Sequence, residues 1–339
     1  MTDPAPKVPE EIRAALVRLG LVAADAPTTG APLTGGVSSD IWRIETPTGP
    51  ICAKRALPKL KVEADWRAPV ERNVYEARWL ARADAAAPGA TPRVLGQDAA
   101  AGVLALEWLD PARHPTWKAK LLAGRVDPGF ATAVGDALGR IHAANAISRR
   151  PDIAEDFPTD EIFHAIRLEP YLAATARAWP AHAARLQALL ERTARTRRAL
   201  VHGDVSPKNI LVGPAGPIFI DAECAWAGDP AFDLAFCLNH MLLKRIPLGA
   251  SAADALAQCF EGMATAYLAR VDWEPGAEIE ARVATLLPAL FLARVDGKSP
   301  AEYLTREEDK NRIRRAATDL LTRRPERLVD VLARWRAEP

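Results

Sequence analysis

Apolar residues recur along the chain with two different periods, and each period predicts a different kind of element. Short apolar runs typical of strands fall at residues 41–44, 51–55, 93–97 and 103–108, together with helical patterns at 9–19 and 69–84. Beyond residue 110 apolar residues mostly recur every three or four positions, which predicts helices at 130–144, 232–244, 252–270, 278–294 and 302–321. The pattern therefore predicts an α+β protein whose sheet is N-terminal and whose C-terminal part is rich in helices.

Within the helical part, two short apolar runs at 210–212 and 218–220 flank a glycine- and proline-rich segment, which predicts a hairpin. Asp204 and Asn209 come before this hairpin, and Asp221 follows it directly. Their side-chain oxygens are the ligands that Mg²⁺ prefers. One aspartate in a loop is usually a cap or turn residue, but the ordered set His202, Asp204, Asn209 and Asp221 has the spacing of a kinase catalytic loop and its metal-binding strand.

Lys54 is a charged residue inside the apolar strand 51–55. Burying a charge costs on the order of several kcal/mol of desolvation free energy unless the charge is paired or faces an opening. A nucleotide phosphate on one side and a carboxylate from helix 69–84 on the other would pair it. Glu76, near the middle of that helix, is the preferred partner, and Glu71 is the alternative. The apolar stripe of the helix is predicted to consist of Val70, Val74, Ala77 and Ala81.

Two further polar residues are assigned from their surroundings. Asp233 lies at the entrance of helix 232–244 among apolar neighbours, where its carboxylate could accept backbone N–H bonds from the catalytic loop and hold that loop in shape. His142, in the last turns of helix 130–144, is predicted to be a buried hydrogen-bonding histidine and not a catalytic one.

The composition limits the possible partners and compartment. The 339 residues include 44 Lys and Arg against 43 Asp and Glu, so the basic excess of a nucleic-acid binder is missing. The four cysteines form no CxxC pair, the N-terminus does not read as a signal peptide, and the apolar run at 283–293 is too short to span a bilayer. We expect a cytoplasmic protein that binds neither nucleic acid nor membrane.

Three segments together resemble one known family. Residues 202–209 (HGDVSPKN), 220–223 (IDAE) and 228–235 (GDPAFDLA) are similar to those of the aminoglycoside phosphotransferase and choline kinase family of small-molecule kinases. The Asp-x-Glu at Asp221 and Glu223, and the segment 163–171, are nearest to the methylthioribose kinase branch. Ser206 and Asn209 depart from that branch, which leaves room for another substrate.

The resemblance implies a bilobal, protein-kinase-like fold with a nucleotide-binding lobe at 1–109, a catalytic and substrate-binding lobe at 110–339, and ATP with Mg²⁺ between them. It implies that Asp204 is the base for the substrate hydroxyl, that Asn209 and Asp221 are Mg²⁺ ligands, and that Lys54 binds the α- and β-phosphates. Glu223 is a further candidate metal ligand, with a substrate contact or a purely structural role left open.

Two other segments complete the expected nucleotide site. The loop containing Gly35, Gly36 and Ser38 precedes strand 41–44 and could lay backbone N–H groups on a phosphate. Glu107 and Leu109, where strand 103–108 leaves the sheet, are similar to the hinge that binds adenine through its backbone.

Three other functions compete with a small-molecule kinase. A protein kinase is disfavoured because only twelve positions separate Asp221 from Asp233 and no Ala-Pro-Glu follows. A nucleotide-binding pseudokinase acting as an interaction module is disfavoured because the catalytic lysine, both aspartates and the asparagine are all present. A kinase of aminoglycosides or choline-type amino alcohols remains the third alternative.

The acceptor is predicted from charge. Residues 145–199 carry seven acids against nine arginines, which is not the acidic pocket that a polycationic aminoglycoside requires. Arg294, Asp296 and Lys298 interrupt an apolar helical pattern, either as a solvated helix end or as the rim of the acceptor pocket. We therefore expect a small-molecule hydroxyl substrate, neutral or weakly charged, that is sugar-like before amine-like.

Overall fold

The N-terminal part of the chain is built around a five-stranded antiparallel sheet with strand order β1-β2-β3-β5-β4. The computed structural model describes residues 7–25, 27–33, 38–59 and 69–338. In chain order the elements of this part are α1 (Glu10–Arg18), β1 (Gly30–Pro32), β2 (Ser39–Ile44), β3 (Ile51–Ala56), α2 (Arg72–Ala86), β4 (Val94–Asp98) and β5 (Val103–Glu107). Strand β1 falls in a segment with no predicted element. It pairs only with β2, and an edge position tolerates Pro32, which has no N–H to donate.

Successive side chains of each strand point to opposite faces of the sheet, so they pack against two different helices. Val103 and Ala105 of β5 belong to the core that includes α1, whereas Leu104 and Leu106 belong to the larger core that includes α2. Lys54 on β3 is directly opposite Leu104, so it points to the α2 side of the sheet. The two-residue alternation of side chains along β3 therefore places Lys54 on the same side of the sheet as α2, the helix expected to supply its carboxylate.

The buried face of α2 differs from the predicted apolar stripe. Ala81 is exposed and Val74 only half-buried, while Arg72, Asn73 and Glu76 are buried. Asn73 is held in place because its amide donates to the carbonyl of Gly102 at 2.8 Å. The prediction was wrong here because it assigned the helix face by hydrophobicity, and this helix buries polar residues that have specific partners.

The C-terminal part is mainly helical, which confirms the predicted α+β class. Its helices are α3 (Trp117–Leu122), α4 (Pro128–Ala144), α5 (Asp152–Asp156), α6 (Asp160–Phe163), α7 (Ala174–Ala178), α8 (Ala183–Arg195), α9 (Ala231–Leu243), α10 (Arg245–Leu248), α11 (Ala253–Leu268), α12 (Gly276–Asp296), α13 (Glu307–Arg323) and α14 (Leu328–Arg336). Helix α9 is buried along its whole length, and α11 and α12 pack against it. The division between lobes at residue 109 stays a prediction.

Two features of this part bear directly on the site. A π-helix, His164–Ala173, joins α6 to α7 and contains Pro170, whose missing N–H is compatible with an interrupted hydrogen-bond ladder. The remaining strands are β6 (Ala199–Val201), β7 (Ile210–Gly213), β8 (Gly216–Phe219) and β9 (Trp226–Gly228). Strands β7 and β8 form the predicted hairpin, with a turn of two residues that is tighter than the sequence indicated. Among the described residues, no helix has the length and apolarity needed to cross a bilayer.

Candidate active site

The loop between β6 and β7 carries Asp204, and a buried carboxylate fixes its backbone. Asp233, at the start of α9, accepts the backbone N–H of His202 at 2.7 Å and that of Gly203 at 2.8 Å. His142, which is fully buried, lies 3.3 Å from the same carboxylate. Gly203 has a φ of +82°, and a Cβ there would meet the carbonyl oxygen of Cys224 at 2.6 Å. The predicted roles of Asp233 and His142 are therefore confirmed.

The two carboxylate oxygens of Asp204 have different surroundings. Its Oδ2 lies 2.8 Å from Arg167 Nη2, 2.8 Å from Asn209 Nδ2 and 3.2 Å from Lys208 Nζ. Its Oδ1 has no hydrogen-bond partner within the described ranges. The side chain is thus oriented through one oxygen and leaves the other available to a ligand. The carboxamide oxygen of Asn209 is likewise without a partner in the part of the chain described.

Lys54 is buried between two carboxylates from different parts of the fold. Its Nζ lies 2.7 Å from Glu76 Oε2, and it also contacts Asp221 directly after the hairpin. Glu71 is exposed, so of the two predicted partners Glu76 is the one that pairs with Lys54. Burial acts to lower the pKa of Lys54, but the negative charges of Asp221 and Glu76 outweigh it and raise the pKa well above its usual value.

Asp221 remains ionised for the reciprocal reason. Burial acts to raise its pKa, but the positive charges of Lys54 and Lys208 hold the pKa well below its usual range. Its φ of 67° is in the left-handed region, which Asp tolerates better than most residues. A carboxylate that stays charged and partly exposed beside a lysine is suited to binding a cation.

Glu223, the second carboxylate of the Asp-x-Glu, has a protein partner of its own. Arg72 Nε lies 2.9 Å from Glu223 Oε2, and the arginine side chain is completely buried. The same guanidinium donates to the carbonyls of Pro69 and Leu57, each at 2.8 Å, and to that of Ser38. Arg72 therefore joins the sheet region to the segment after the hairpin. The metal role of Glu223 stays a prediction.

The expected adenine and phosphate contacts are only partly described. Glu107 is the last residue of β5, and its carboxylate accepts from the backbone N–H (3.0 Å) and Nε (2.9 Å) of Arg93. Its own backbone N–H donates to the carbonyl of Arg93 at 3.0 Å. Within the described ranges, no backbone hydrogen bond engages Leu109. Ser38 is buried, whereas Gly35 and Gly36 lie outside the described residues.

Comparison with known proteins identifies the family. The model of the phosphotransferase enzyme family, APH, matches residues 29–279, which include every catalytic and metal residue named above. The chain belongs to this family. This match confirms the predicted resemblance to the family.

The curated relatives are methylthioribose kinases. The protein from Yersinia pseudotuberculosis serotype O:3 (strain YPIII) is 29% identical over 218 residues, covering 57% of this chain and 53% of that one. The protein from Erwinia tasmaniensis is 26% identical over 223 residues, covering 57% and 54%. The chain thus spans about half the length of these curated relatives.

Solved structures show the same fold over nearly the whole chain. A choline/ethanolamine kinase family protein from Mesorhizobium loti is 17% identical, with a TM-score of 0.52, and the match covers 96% of this chain and 98% of that one. An amicoumacin kinase in complex with AMP-PNP, Ca²⁺ and Ami is 13% identical, with a TM-score of 0.54 and coverage of 95% and 98%. At these identities the likeness shows the protein-kinase-like fold alone.

Two of the three residues predicted for the acceptor rim are engaged by neighbouring helices. Asp296 binds Arg314 through both oxygens, at 2.6 and 3.0 Å, and Lys298 Nζ lies 2.7 Å from Glu169. No contact among the described residues links either of them to Asp204. Arg294 contacts the π-helix that also carries Arg167, because its Nη1 lies 3.4 Å from the hydroxyl of Tyr171, and Lys298 reaches the same π-helix through Glu169.

Sequence reasoning did not assign a role to three cations that the fold brings into the site: Arg72, Arg167 and Lys208. Lys208 had a usable signal, since it lies within the catalytic loop four positions after Asp204. Arg72 and Arg167 had none, because their carboxylate partners are far away in the sequence. Only the fold shows that each of them is buried against a particular carboxylate.

Proposed function

We propose that the phosphotransferase transfers the γ-phosphoryl group of Mg-ATP to a hydroxyl of a small molecule, with Asp204 as the base. The main support for this proposal is that the two oxygens of the Asp204 carboxylate have different surroundings. Its Oδ2 is anchored by Arg167 and Asn209, while its Oδ1 is open to a hydroxyl. The acceptor oxygen bonds to the γ-phosphorus, the bond from that phosphorus to the β,γ-bridging oxygen breaks, and Asp204 receives the hydroxyl proton as ADP leaves.

The described residues fit Mg²⁺, although no three His, Cys, Asp or Glu side chains among them form a ready-made metal cluster. The donors that fit are the unpartnered carboxamide oxygen of Asn209 and the ionised carboxylate of Asp221, which leave positions for phosphate oxygens and water. Mg²⁺ bound there would neutralise charge on the β- and γ-phosphates. Lys54, held by Glu76, would contribute its charge to the α- and β-phosphates. Glu107 and Leu109 would meet the adenine through their backbone.

The acceptor is proposed to be a sugar-like or other small alcohol and not a polycationic amine. The named relatives are methylthioribose kinases, which supports a sugar-like acceptor. Arg167 and Lys208, the charged side chains that contact the base, are both cations bound to Oδ2, and their charge disfavours a polycationic acceptor beside Oδ1. An ATP-dependent reaction and four unpaired cysteines fit a cytoplasmic location.

The test compares two substitutions that affect different parts of the reaction. Asp204→Asn keeps the size and the hydrogen bond to Arg167 but cannot take a proton, so turnover should fall by about two to four orders of magnitude while Mg-ATP affinity stays near normal. Asp221→Ala should abolish Mg²⁺-dependent ATP binding because the cation loses its anionic ligand. Calorimetric titration with and without Mg²⁺, together with ADP release over a panel of hydroxyl compounds, measures both.

Three results would each contradict a part of this proposal. Near-normal turnover in Asp204→Asn would remove Asp204 as the base. Normal Mg-ATP binding in Asp221→Ala would remove the metal site. Phosphorylation of kanamycin-type aminoglycosides, with none of methylthioribose or other small alcohols, would overturn the acceptor class.

A further inference from the structure

Four cations from four different elements lie beside the catalytic loop, and segment 301–303 contacts three of them. The four are Lys118 in α3, Lys208 in the loop itself, Lys244 at the end of α9 and Arg294 in α12, and we call them the cation cluster. Lys118 pairs with Glu302, the Nζ of Lys244 lies 3.8 Å from the ring centroid of Tyr303, and the carbonyl of Arg294 accepts the N–H of Ala301 at 2.8 Å. Burial, together with the positive charges of all four, holds the pKa of His240 well below its usual range. The cluster adjoins the loop, because the backbone N–H of Lys118 donates to the carbonyl of Pro207 at 2.8 Å.

Among the described residues, carboxylates lie within ion-pair distance of only two of these four cations. Lys118 pairs with Glu302, and Lys208 lies 3.2 Å from Asp204. Lys244 and Arg294 have no described carboxylate within ion-pair distance.

Lys244 is the more unusual of the two. Its side chain is 2% exposed, and its Nζ sits 3.8 Å from the ring centroid of Tyr303, whose buried hydroxyl has no hydrogen-bond partner among the described residues. Burial and the charge of Lys118 lower the pKa of Lys244 to about 8. The negative charge of Glu302, which already pairs with Lys118, opposes this lowering only in part. A buried cation that is incompletely compensated is costly unless a ligand supplies the missing charge.

Arg294 has unused donor capacity. Its Nη1 donates to the backbone carbonyl of Ser299 at 2.6 Å and to the Ser299 hydroxyl at 3.0 Å, and it lies 3.4 Å from the Tyr171 hydroxyl. Its Nε is buried and has no partner in the described part of the chain. A guanidinium with free donors is well suited to the planar or tetrahedral oxygens of a carboxylate or phosphate.

We propose that the acceptor carries an anionic group, a carboxylate or a phosphate, that binds Lys244 and Arg294 while its hydroxyl lies against Oδ1 of Asp204. This inference rests on the proposed function and narrows its acceptor class. Lys208 connects the two ends of the site, since it contacts Asp204 and also belongs to the cation cluster. The group transfer is unchanged: the hydroxyl oxygen gains the phosphoryl group, its proton passes to Asp204, and the anionic group takes no part in bond making.

A purely structural role for the same two cations makes a different prediction. Lys244 is the C-cap residue of α9, and Arg294 lies in the last turn of α12, where a helix dipole favours positive charge. In that case their removal would change stability and leave acceptor affinity unchanged. Lys244→Met separates the two roles because it keeps the length and the packing on Tyr303.

The experiment uses three-carbon and related probes that differ in charge: glycerol 3-phosphate, D-glycerate, glycerol and ethanolamine. Each is titrated calorimetrically into the full-length protein saturated with Mg²⁺ and AMP-PNP, and each is assayed for ADP release with Mg-ATP. We expect at least one anionic probe to bind at least tenfold more tightly than glycerol or ethanolamine. The better anionic probe identifies whether the site takes phosphate or carboxylate.

Variants then locate the binding. Lys244→Met should weaken binding of the anionic probe about 10- to 100-fold, with Mg-ATP affinity unchanged, and Lys244→Arg should restore most of it. Lys310→Met, at a lysine of α13 paired 3.5 Å from Glu307, is the matched control and should have no effect.

Each other outcome has a defined meaning. Equal or tighter binding of glycerol or ethanolamine, or unchanged anion affinity in Lys244→Met, overturns the inference and leaves the proposed function standing. Failure of the unaltered protein to bind Mg-ATP at all would instead overturn the proposed function.

Discussion

Glu223→Gln separates two roles for the second carboxylate of the Asp-x-Glu segment, metal ligand and partner of Arg72. In the unaltered protein Arg72 Nε donates to Glu223 Oε2 at 2.9 Å. Glutamine keeps an oxygen that can accept this hydrogen bond but lacks the negative charge. The guanidinium is completely buried and the glutamate side chain is only 9% exposed, so solvent cannot replace that charge. The structure therefore predicts a loss of stability and not primarily a loss of metal binding.

The size of the loss follows from the environment of the pair. Removing one partner of a buried ion pair typically costs about 3–5 kcal/mol. Because glutamine retains a hydrogen bond, we expect a smaller loss of about 2–3 kcal/mol in the free energy of unfolding. With a urea dependence of roughly 2–3 kcal/mol/M, the unfolding midpoint should fall by about 1 M.

The measurement is urea unfolding followed by circular dichroism, together with Mg²⁺-dependent ATP binding by calorimetry. Glu308→Gln makes the same chemical change in an exposed pair with Arg306 and should shift the midpoint little, since exposed pairs contribute at most about 1 kcal/mol. A Glu223→Gln protein with an unchanged midpoint and a collapsed Mg²⁺ dependence would refute this reasoning. Glu223 would then be a metal ligand.

Two further predictions concern the support of the catalytic loop and the buried histidines. Asp233→Asn should destabilise the protein by about 1–3 kcal/mol and reduce turnover, because an amide cannot accept both loop N–H groups; urea unfolding and ADP release measure the two effects. Burial lowers the folded-state pKa of both His202 and His240, so below about pH 6.5 the unfolded chain binds more protons. Stability should be independent of these groups above that pH and fall by up to about 1.4 kcal/mol per histidine per pH unit below it, as urea midpoints from pH 8 to 5 would show.

Controls define what would contradict these two expectations. Asp254→Asn, at an exposed carboxylate of α11, makes the same change without a buried loop contact and should leave the midpoint unchanged. If Asp233→Asn were equally harmless, the backbone bonds to Asp233 would not hold the loop. A midpoint that stayed constant or rose on acidification would show that neither histidine is buried as a neutral ring.

The sequence by itself was sufficient for the fold class and for the central elements of the site. The hairpin 210–219, the loop before it and Asp221 after it are local in the chain, and their residue types are those that the proposed phosphoryl transfer would need. The role of Asp233 could also be predicted. A carboxylate at the start of an apolar helix, close in sequence to the loop, has few other partners to satisfy it.

The choice among partners was decided only by the tertiary structure. Glu71 and Glu76 are the same residue type in the same predicted helix, so the sequence does not distinguish them. The packing of α2 on the sheet decides which of them meets Lys54. The predicted apolar stripe failed for the same reason, since Arg72 and Asn73 are buried through specific hydrogen bonds and not through hydrophobicity.

The long-range ion pairs have no sequence signal at all. Arg72 and Glu223 are 151 positions apart, and Lys54 and Asp221 are 167 positions apart. Periodicity reports which face of an element is buried, but it does not report which charge from a distant element will be buried against that face. That information exists only once the chain has folded, because a buried charge is stable only beside the particular group that compensates it.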